Sequence, residues 1–169
     1  MSKLIDKIAD IDPTGALDDS DIVHILTMPD VNLPRVLQSV SGRTLAEIPT
    51  WTGELAWVRL AAKTGIVPAS KHPSGVATAI TEVQMVNITT LLEAVDKELV
   101  LDLSVQVPEG FPTPLSILDG LLDTVETLGL LSAVSRALVM SKTERLQSWA
   151  EKENEQVDAG TVGKARGAN

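Results

Sequence analysis

The most informative stretch of the sequence is PLSILDGLLDTVETLGLLSAVSRALVM, residues 114–140. Its apolar residues recur every three or four positions, a spacing that places them on one face of an α-helix. Thr113 and Pro114 make a good N-cap and first helical residue. The apolar stripe consists of Leu118, Leu121, Leu122, Val125, Leu128, Leu131, Val134, Leu138 and Leu146. The pattern therefore predicts a long C-terminal helix.

The predicted helix runs from Pro114 to about Asn154, with a weak point at Gly129. At ~1.5 Å per residue it would extend roughly 60 Å. A globular domain of this size has a radius of gyration near ~15 Å. Either the helix breaks, or its end projects toward a partner.

Shorter helical patterns fill most of the chain before this helix. They cover about residues 2–10, 20–28, 34–42, 50–65 and 76–98. Proline and glycine residues separate them, as is usual at helix ends. Aromatic residues make up only 2% of the sequence, so the core is expected to be aliphatic. These features predict a mainly α fold with at most one or two short strands.

One segment has the alternating pattern of a β-strand. In LVLDLSVQV, residues 99–107, every second residue is apolar. A single strand leaves its backbone groups unpaired, so this one needs a partner. The β-branched run between residues 80 and 88 is one candidate within the chain. A strand from another subunit is the alternative.

These patterns suggest three parts along the chain. Residues 1–110 form a helical domain with the possible strand at 99–107, and residues 111–155 form the long helix, which projects if it does not break. Residues 156–169 are rich in glycine and alanine. We expect this tail to be flexible unless a partner orders it.

The composition argues against most enzyme chemistries. Cysteine is absent, which excludes disulfides, thiolate metal sites and cysteine nucleophiles. His24 and His72 are the two histidines, too few for a histidine-rich metal site. The sequence contains no phosphate-binding glycine loop, dinucleotide fingerprint or HExxH motif. We therefore expect a protein that is not an enzyme and has no cofactor.

The ends of the chain and its most apolar segment suggest a soluble protein. The start, MSKLIDKIAD, is charged and lacks the apolar run of a secretory signal. Residues 115–140 are long enough to span a bilayer, but they carry Asp119, Asp123, Glu126 and Arg136. We expect a location in the cytoplasm or inside a viral particle.

An acidic loop, DIDPTGALDDSD, lies between two predicted helices at residues 10–21. An EF-hand loop takes oxygen ligands from positions 1, 3, 5, 7, 9 and 12 and has glycine at position 6. Gly15 occupies the glycine position of this loop. The corresponding ligand positions hold Asp10, Asp12, Thr14, Ala16 (through its carbonyl), Asp18 and Asp21. The loop resembles an EF-hand loop, and more closely the dockerin variant that ends in aspartate.

This resemblance implies a calcium site, but it covers only twelve residues and has departures. Pro13 fixes the backbone inside the loop, Thr14 replaces a usual carboxylate, and Asp21 is shorter than the usual glutamate. The other interpretation is an acidic turn at residues 10–12, followed by Asp18 as the N-cap of the next helix. We expect the capping turn and keep calcium binding as the alternative.

Charge is unevenly distributed along the chain, whose net charge is −9. Residues 31–75 carry five basic and two acidic side chains, while residues 76–140 carry two basic and nine acidic ones. The basic segment contains Arg59 and Lys63 on one helical face, near Trp51 and Trp57. Cations beside aromatic rings are typical of single-strand nucleic-acid binding. Solvated charges beside core tryptophans are the alternative, which we favour.

Taken together, these observations predict a non-catalytic structural or assembly protein. It would bind copies of itself or a larger protein partner, and a viral or phage particle component fits the pattern. The alternating acidic and basic segments suit contacts between copies. A calcium module using residues 10–21 and a nucleic-acid or packaging accessory using residues 31–75 are the alternatives.

Overall fold

The computed structural model describes residues 2–167 and confirms a mainly α fold. The helices are α1 (Ser2–Ile11), α2 (Asp19–Thr27), α3 (Gly42–Ala46), α4 (Pro49–Thr64), α5 (Glu82–Asp96), α6 (Pro114–Thr127), α7 (Ala133–Ser141), α8 (Trp149–Glu153) and α9 (Ala159–Gly167). The strands are β1 (Val36–Leu37), β2 (Val40–Ser41), β3 (Ile66–Val67), β4 (Thr78–Ala79), β5 (Val100–Leu101) and β6 (Glu144–Arg145). Each strand has only two residues, so the strands are more numerous than predicted but short.

The chain divides into two compact units. The terminal unit combines the residues up to Val36 with those from Arg145 onward, and the central unit is Leu37–Glu144. These boundaries lie elsewhere than the predicted ones at residues 110 and 155. The terminal unit is thus assembled from the two ends of the sequence.

The terminal unit is built on α1, α2, α8 and α9. Its core is formed by the buried side chains of Leu4, Ile8, Ile22, Leu26, Val162 and Ala165. Residues 159–167 of the predicted flexible or partner-ordered tail form α9, which packs against α1 and α2 of the same chain. Burial of Val162 and Ala165 supplies the physical reason. Residues 168 and 169 of the predicted tail lie outside the described residues.

The central unit holds the larger core, to which α3 to α7 all contribute. Trp51 of α4 is 1% exposed and belongs to a core cluster whose other buried members are aliphatic. Strands β3 and β4 pair antiparallel, with Ile66 opposite Ala79. The aliphatic core expected from the composition is therefore present, with one tryptophan within it.

The prediction of a single long C-terminal helix was wrong. Helix α6 ends at Thr127, and Gly129 adopts a left-handed backbone conformation with φ 78°. A side chain at Gly129 would overlap the Lys71 carbonyl oxygen, so the glycine also permits a close approach. Ser132 then caps α7 by accepting a hydrogen bond from the Ser135 amide. The break lies at the weak point predicted at Gly129, but helical periodicity continues through it, so the pattern did not require two separate helices.

Helix α7 is held against α6 by one arginine. The Arg136 guanidinium contacts Asp119, Asp123 and Glu126 at 2.8, 3.2 and 2.6 Å. Hydrogen bonding to Glu126 is the main cause that raises the pKa of Arg136 above its usual value. The charges that argued against a membrane span therefore stabilise the packing of two helices.

The predicted strand at 99–107 is also shorter than expected. Only Val100 and Leu101 form a strand, which pairs antiparallel with Val40 and Ser41 of the same chain. The Asp102 carboxylate then accepts hydrogen bonds from the Ser104 amide and hydroxyl at 3.0 and 2.6 Å. This local turn ends the strand.

The expected strand partner and the predicted helix at 34–42 were both wrong. The β-branched run after residue 80 belongs to α5, which starts with a capping box between Thr81 and Gln84. Residues 34–42 contain β1 and β2 instead of a helix. The valines of this short stretch fit either period, and pairing with residues 100–101 selects the strand.

Candidate functional site

The candidate site is an apolar groove on the central unit between α5, α6 and β5. It has a volume of about 330 Å³, and Glu93 is the charged residue among the described residues that line it. We call it the α5–α6 groove and define it by Thr90, Ala94, Leu99, Val100, Ile117 and Leu121. A groove of this composition favours an apolar occupant.

The helical pattern of α5 explains one wall. The helix buries Ile88, Leu91 and Val95 in the core. Val83 and Val86, on another face, are 72% and 63% exposed. Val86 is four residues before Thr90, so this apolar face leads into the groove.

Helix α6 supplies the opposite wall. Thr113 caps it by accepting a hydrogen bond from the Ser116 amide, and Leu118 and Leu122 are buried. Ile117 lies beside the buried stripe and stays 47% exposed. The Asn87 side chain donates a 2.9 Å hydrogen bond to the Thr124 hydroxyl and joins the two helices.

Gly42 allows α3 to approach the end of α5 closely. A side chain at this position would overlap the Ala94 carbonyl. The Gly42 amide donates to the Leu99 carbonyl, and the Leu99 amide donates to the Ala94 carbonyl, each at 2.9 Å. These bonds fix the chain segment that enters β5.

Strand β5 presents an open edge at the groove. Within residues 2–167, β5 pairs with β2 alone. Val100 is 70% exposed although it is a β-branched apolar residue in a strand. An unpaired strand edge beside exposed apolar side chains is a common template for association.

Charges of both signs flank the groove. Glu93 lines the groove, and the Lys97 amine lies 2.7 Å from its carboxylate. Hydrogen bonding to Glu93 raises the pKa of Lys97. The α5 end of the groove therefore carries a paired cation and anion beside the apolar centre.

The acidic loop forms the predicted capping turn. The Asp21 amide donates to the Asp18 carboxylate at 2.8 Å, and the Asp18 amide donates to the Asp21 carboxylate at 3.4 Å. The bond from the Asp21 amide is the main cause that lowers the pKa of Asp18. The prediction that Asp18 caps α2 with Asp21 three residues later is confirmed.

A protein cation lies at the same loop. Arg166 of α9 donates to the Asp12 carboxylate and the Leu17 carbonyl at 2.7 Å each, and to the Asp19 carboxylate at 2.8 Å. The Asp12 carboxylate also accepts from the Ala16 and Leu17 amides. The Asp19 carboxylate is the main cause that raises the pKa of Arg166.

The remaining positions of the calcium interpretation have other surroundings. Asp10 lies 3.5 Å from the Lys7 amine, and Thr14 is exposed. Among residues 2–167, no three His, Cys, Asp or Glu side chains are grouped so that they could hold a metal ion. Calcium binding by Asp10, Asp12, Thr14, Ala16, Asp18 and Asp21 stays a prediction from the sequence.

The basic segment does not form an open cationic surface around Arg59. Arg59 makes two hydrogen bonds to the Asp96 carboxylate, at 2.8 and 2.6 Å. The Lys71 amine lies 4.9 Å from the centre of the Trp57 ring. Trp51 is buried, as the alternative to nucleic-acid binding required. Exposed Lys63 shares a helix with Arg59, and nucleic-acid binding through the pair stays a prediction.

The Arg59–Asp96 pair should make the stability of the folded state depend on pH. Hydrogen bonding to the Arg59 guanidinium lowers the pKa of Asp96 in the folded state. The pair therefore stabilises the folded state at pH values above the usual aspartate pKa of about 4. This stabilisation is lost as the pH falls through the lowered pKa of Asp96 in the folded state. We expect Arg59→Met to return the Asp96 pKa to its usual range. The pair is half-exposed, so the stability loss at pH 7 should stay below ~1 kcal/mol.

Carboxyl ¹³C NMR titration measures this pKa directly. Arg43→Met is the matched control, because Arg43 pairs with Glu47 and should leave Asp96 unchanged. An unchanged Asp96 pKa in Arg59→Met would contradict the pairing.

The histidine loop has a structural arrangement. His72 Nδ1 lies 2.7 Å from the Ser74 hydroxyl, and the Val76 amide donates to the same hydroxyl at 3.3 Å. The His72 and Lys71 amides both donate to the Pro68 carbonyl at 3.0 Å. These bonds organise a tight loop before β4.

Comparison of the chain with known protein families, with characterised proteins and with solved structures found no match. No helix within residues 2–167 has the length and apolar character needed to cross a membrane.

Two features of these sites were not predicted from the sequence. Arg166 is one charge in a glycine-rich segment, and no local pattern connects it to an aspartate more than 140 residues earlier. The groove did have a signal: Val83 and Val86 fall outside the buried face of α5. Exposed valines on an otherwise polar helix face were the available sign of an interaction surface.

Proposed function

We propose that this protein is a non-catalytic assembly subunit that binds a second copy of itself through the α5–α6 groove. The observation that carries the proposal is the groove itself, an apolar channel that meets an open strand edge and exposed Val100. Removing such a surface from water favours association at roughly 25 cal/mol per Å².

A second copy suits the composition of the groove. The wall from residues 40–45 is uncharged, and Glu93 is the charged residue that lines the wall from residues 90–121. A two-fold axis brings the first wall of one copy against the second wall of the other, so that apolar side chains meet apolar side chains. Glu93 keeps its ion pair with Lys97, so its carboxylate stays paired in this contact.

A role within a larger particle, viral or phage, extends this proposal. It rests on the alternating charge of the segments and on the absence of recognisable catalytic motifs in the sequence. The corresponding location is the cytoplasm or the interior of a particle.

Sedimentation velocity tests the proposal with a groove variant that carries Val100→Asp and Ile117→Asp. We expect the unmodified protein to dimerise at tens of micromolar. Each substitution removes an apolar side chain worth ~1.5–3 kcal/mol of burial. The dimer dissociation constant should therefore rise at least about 100-fold.

Val134→Asp is the matched control. Val134 is 64% exposed on α7 and does not line the groove. This variant should dimerise as the unmodified protein does. A purely monomeric unmodified protein, or equal weakening by the control, would contradict the proposal.

A further inference from the structure

The terminal unit contains a second apolar surface, which α9 covers. Leu4 and Ile8 of α1 and Ile22 and Leu26 of α2 form an apolar cleft. Val162 and Ala165 of α9 fill it and are completely buried. The cleft is therefore a receptor for one short helix.

The cleft holds α9 through specific polar contacts as well as through apolar ones. The Asp12 side chain is 3% exposed and receives the Arg166 guanidinium, which also bonds the Leu17 carbonyl. A side chain at Gly163 would lie 3.3 Å from the Asp19 carboxylate, so a small residue is favoured there. The cleft thus selects an arginine three residues after a glycine.

Helix α9 has little stability of its own. Three of its nine residues are glycine, which is a poor helix former. At its start, the Thr161 amide donates to the Asp158 carboxylate at 2.8 Å. The helix therefore depends on the cleft, and an identical cleft on another molecule offers the same contacts.

The connection to α8 is suited to such an exchange. Only residues 154–158 separate α8 from α9. Asn154 ends α8 in a left-handed conformation with φ 52°, which asparagine adopts more readily than most residues. Short connections favour the exchange of an element between copies.

We propose that α9 of one copy docks in the α1–α2 cleft of a second copy, so that copies exchange this helix in an assembly. The proposal rests on the proposed function of self-association, but it uses a surface separate from the α5–α6 groove. The exchanged helix joins two copies through the contact of Arg166 with Asp12 and Asp19. Groove binding and helix exchange together would link copies into assemblies larger than a dimer.

A mixing experiment in the groove variant isolates the exchange. One chain carries Arg166→Asp, which places a carboxylate against Asp12 and Asp19 of its own cleft. The other carries Asp19→Arg, which places a second guanidinium beside Arg166. In each chain alone, positions 19 and 166 carry like charges, whereas mixing brings opposite charges together at these two positions between chains.

We expect each chain alone to be monomeric at tens of micromolar and the mixture to form a 1:1 dimer, measured by native mass spectrometry with one chain ¹⁵N-labelled. A mixture that stays monomeric would overturn the exchange. So would a dimer that persists when both chains carry Arg166→Ala as their change at position 166. Neither result bears on the groove, because both chains carry the groove substitutions.

A peptide titration does not depend on the folding of the charge-reversed chains. The probe is a synthetic peptide of residues 156–169, added to the full chain carrying Arg166→Ala. We expect saturable binding, with a dissociation constant at least tenfold higher for a peptide that carries Arg166→Ala. Equal binding of the two peptides, or no binding at millimolar peptide, would overturn the proposal.

Discussion

Trp51→Ala should lower the free energy of unfolding of the central unit by about 3–5 kcal/mol. The indole is 1% exposed and lies in a core of aliphatic side chains that cannot refill its volume. Urea unfolding followed by circular dichroism measures the loss without relying on tryptophan fluorescence. A loss below ~1.5 kcal/mol would mean that the indole is not in the core.

Trp51→Phe is the matched control for the indole nitrogen. Within residues 2–167, the Trp51 N–H meets no hydrogen-bond acceptor. Phenylalanine keeps most of the ring and removes that unsatisfied donor. We therefore expect a loss of no more than about 1.5 kcal/mol. A loss equal to that of Trp51→Ala would show that the N–H makes a stabilising bond.

Gly129→Ala should destabilise the central unit by about 2–5 kcal/mol. Its left-handed backbone costs roughly 1–2 kcal/mol for alanine. Overlap of the new methyl group with the Lys71 carbonyl adds about 1–3 kcal/mol, because backbone has to move. Urea unfolding of the variant and the unmodified protein measures the difference.

Gly75→Ala separates the two causes. Gly75 has φ 71° but open space where a side chain would point. It should show only the conformational cost, about 1–2 kcal/mol. Equal losses at both positions would contradict the close approach between Gly129 and Lys71.

Local rules predicted the local structure well. The Asp18 cap of α2 and the Thr113–Pro114 start of α6 are both confirmed. Each depends on side-chain and backbone atoms within a few residues. The mainly α class follows from the same short-range patterns.

Long-range contacts account for the errors. Gly129 was predicted as a weak point, but the break after α6 also depends on its approach to the Lys71 carbonyl, and no pattern near Gly129 contains that information. The pairing of β5 with β2 joins segments some sixty residues apart and overrides a helical pattern. The order of α9 likewise depends on Asp12 and Asp19, at the other end of the sequence.

At the candidate sites too, short-range contacts were predicted and long-range contacts were not. The capping role of Asp18 was predicted because its partner is three residues away. The Arg166 contact and the groove were not, because each assembles residues from distant segments. Alternation of charge between segments was visible in the sequence, but the lining of the groove is uncharged apart from Glu93.

Nuclear Overhauser effects between copies test directly whether the protein associates through the α5–α6 groove. A sample mixes uniformly ¹³C,¹⁵N-labelled protein with unlabelled protein at concentrations where the dimer forms. We expect intermolecular effects at the methyl groups of Val86, Val100 and Ile117. Intermolecular effects confined to other surfaces, such as Val134, or none at all, would contradict association through the groove.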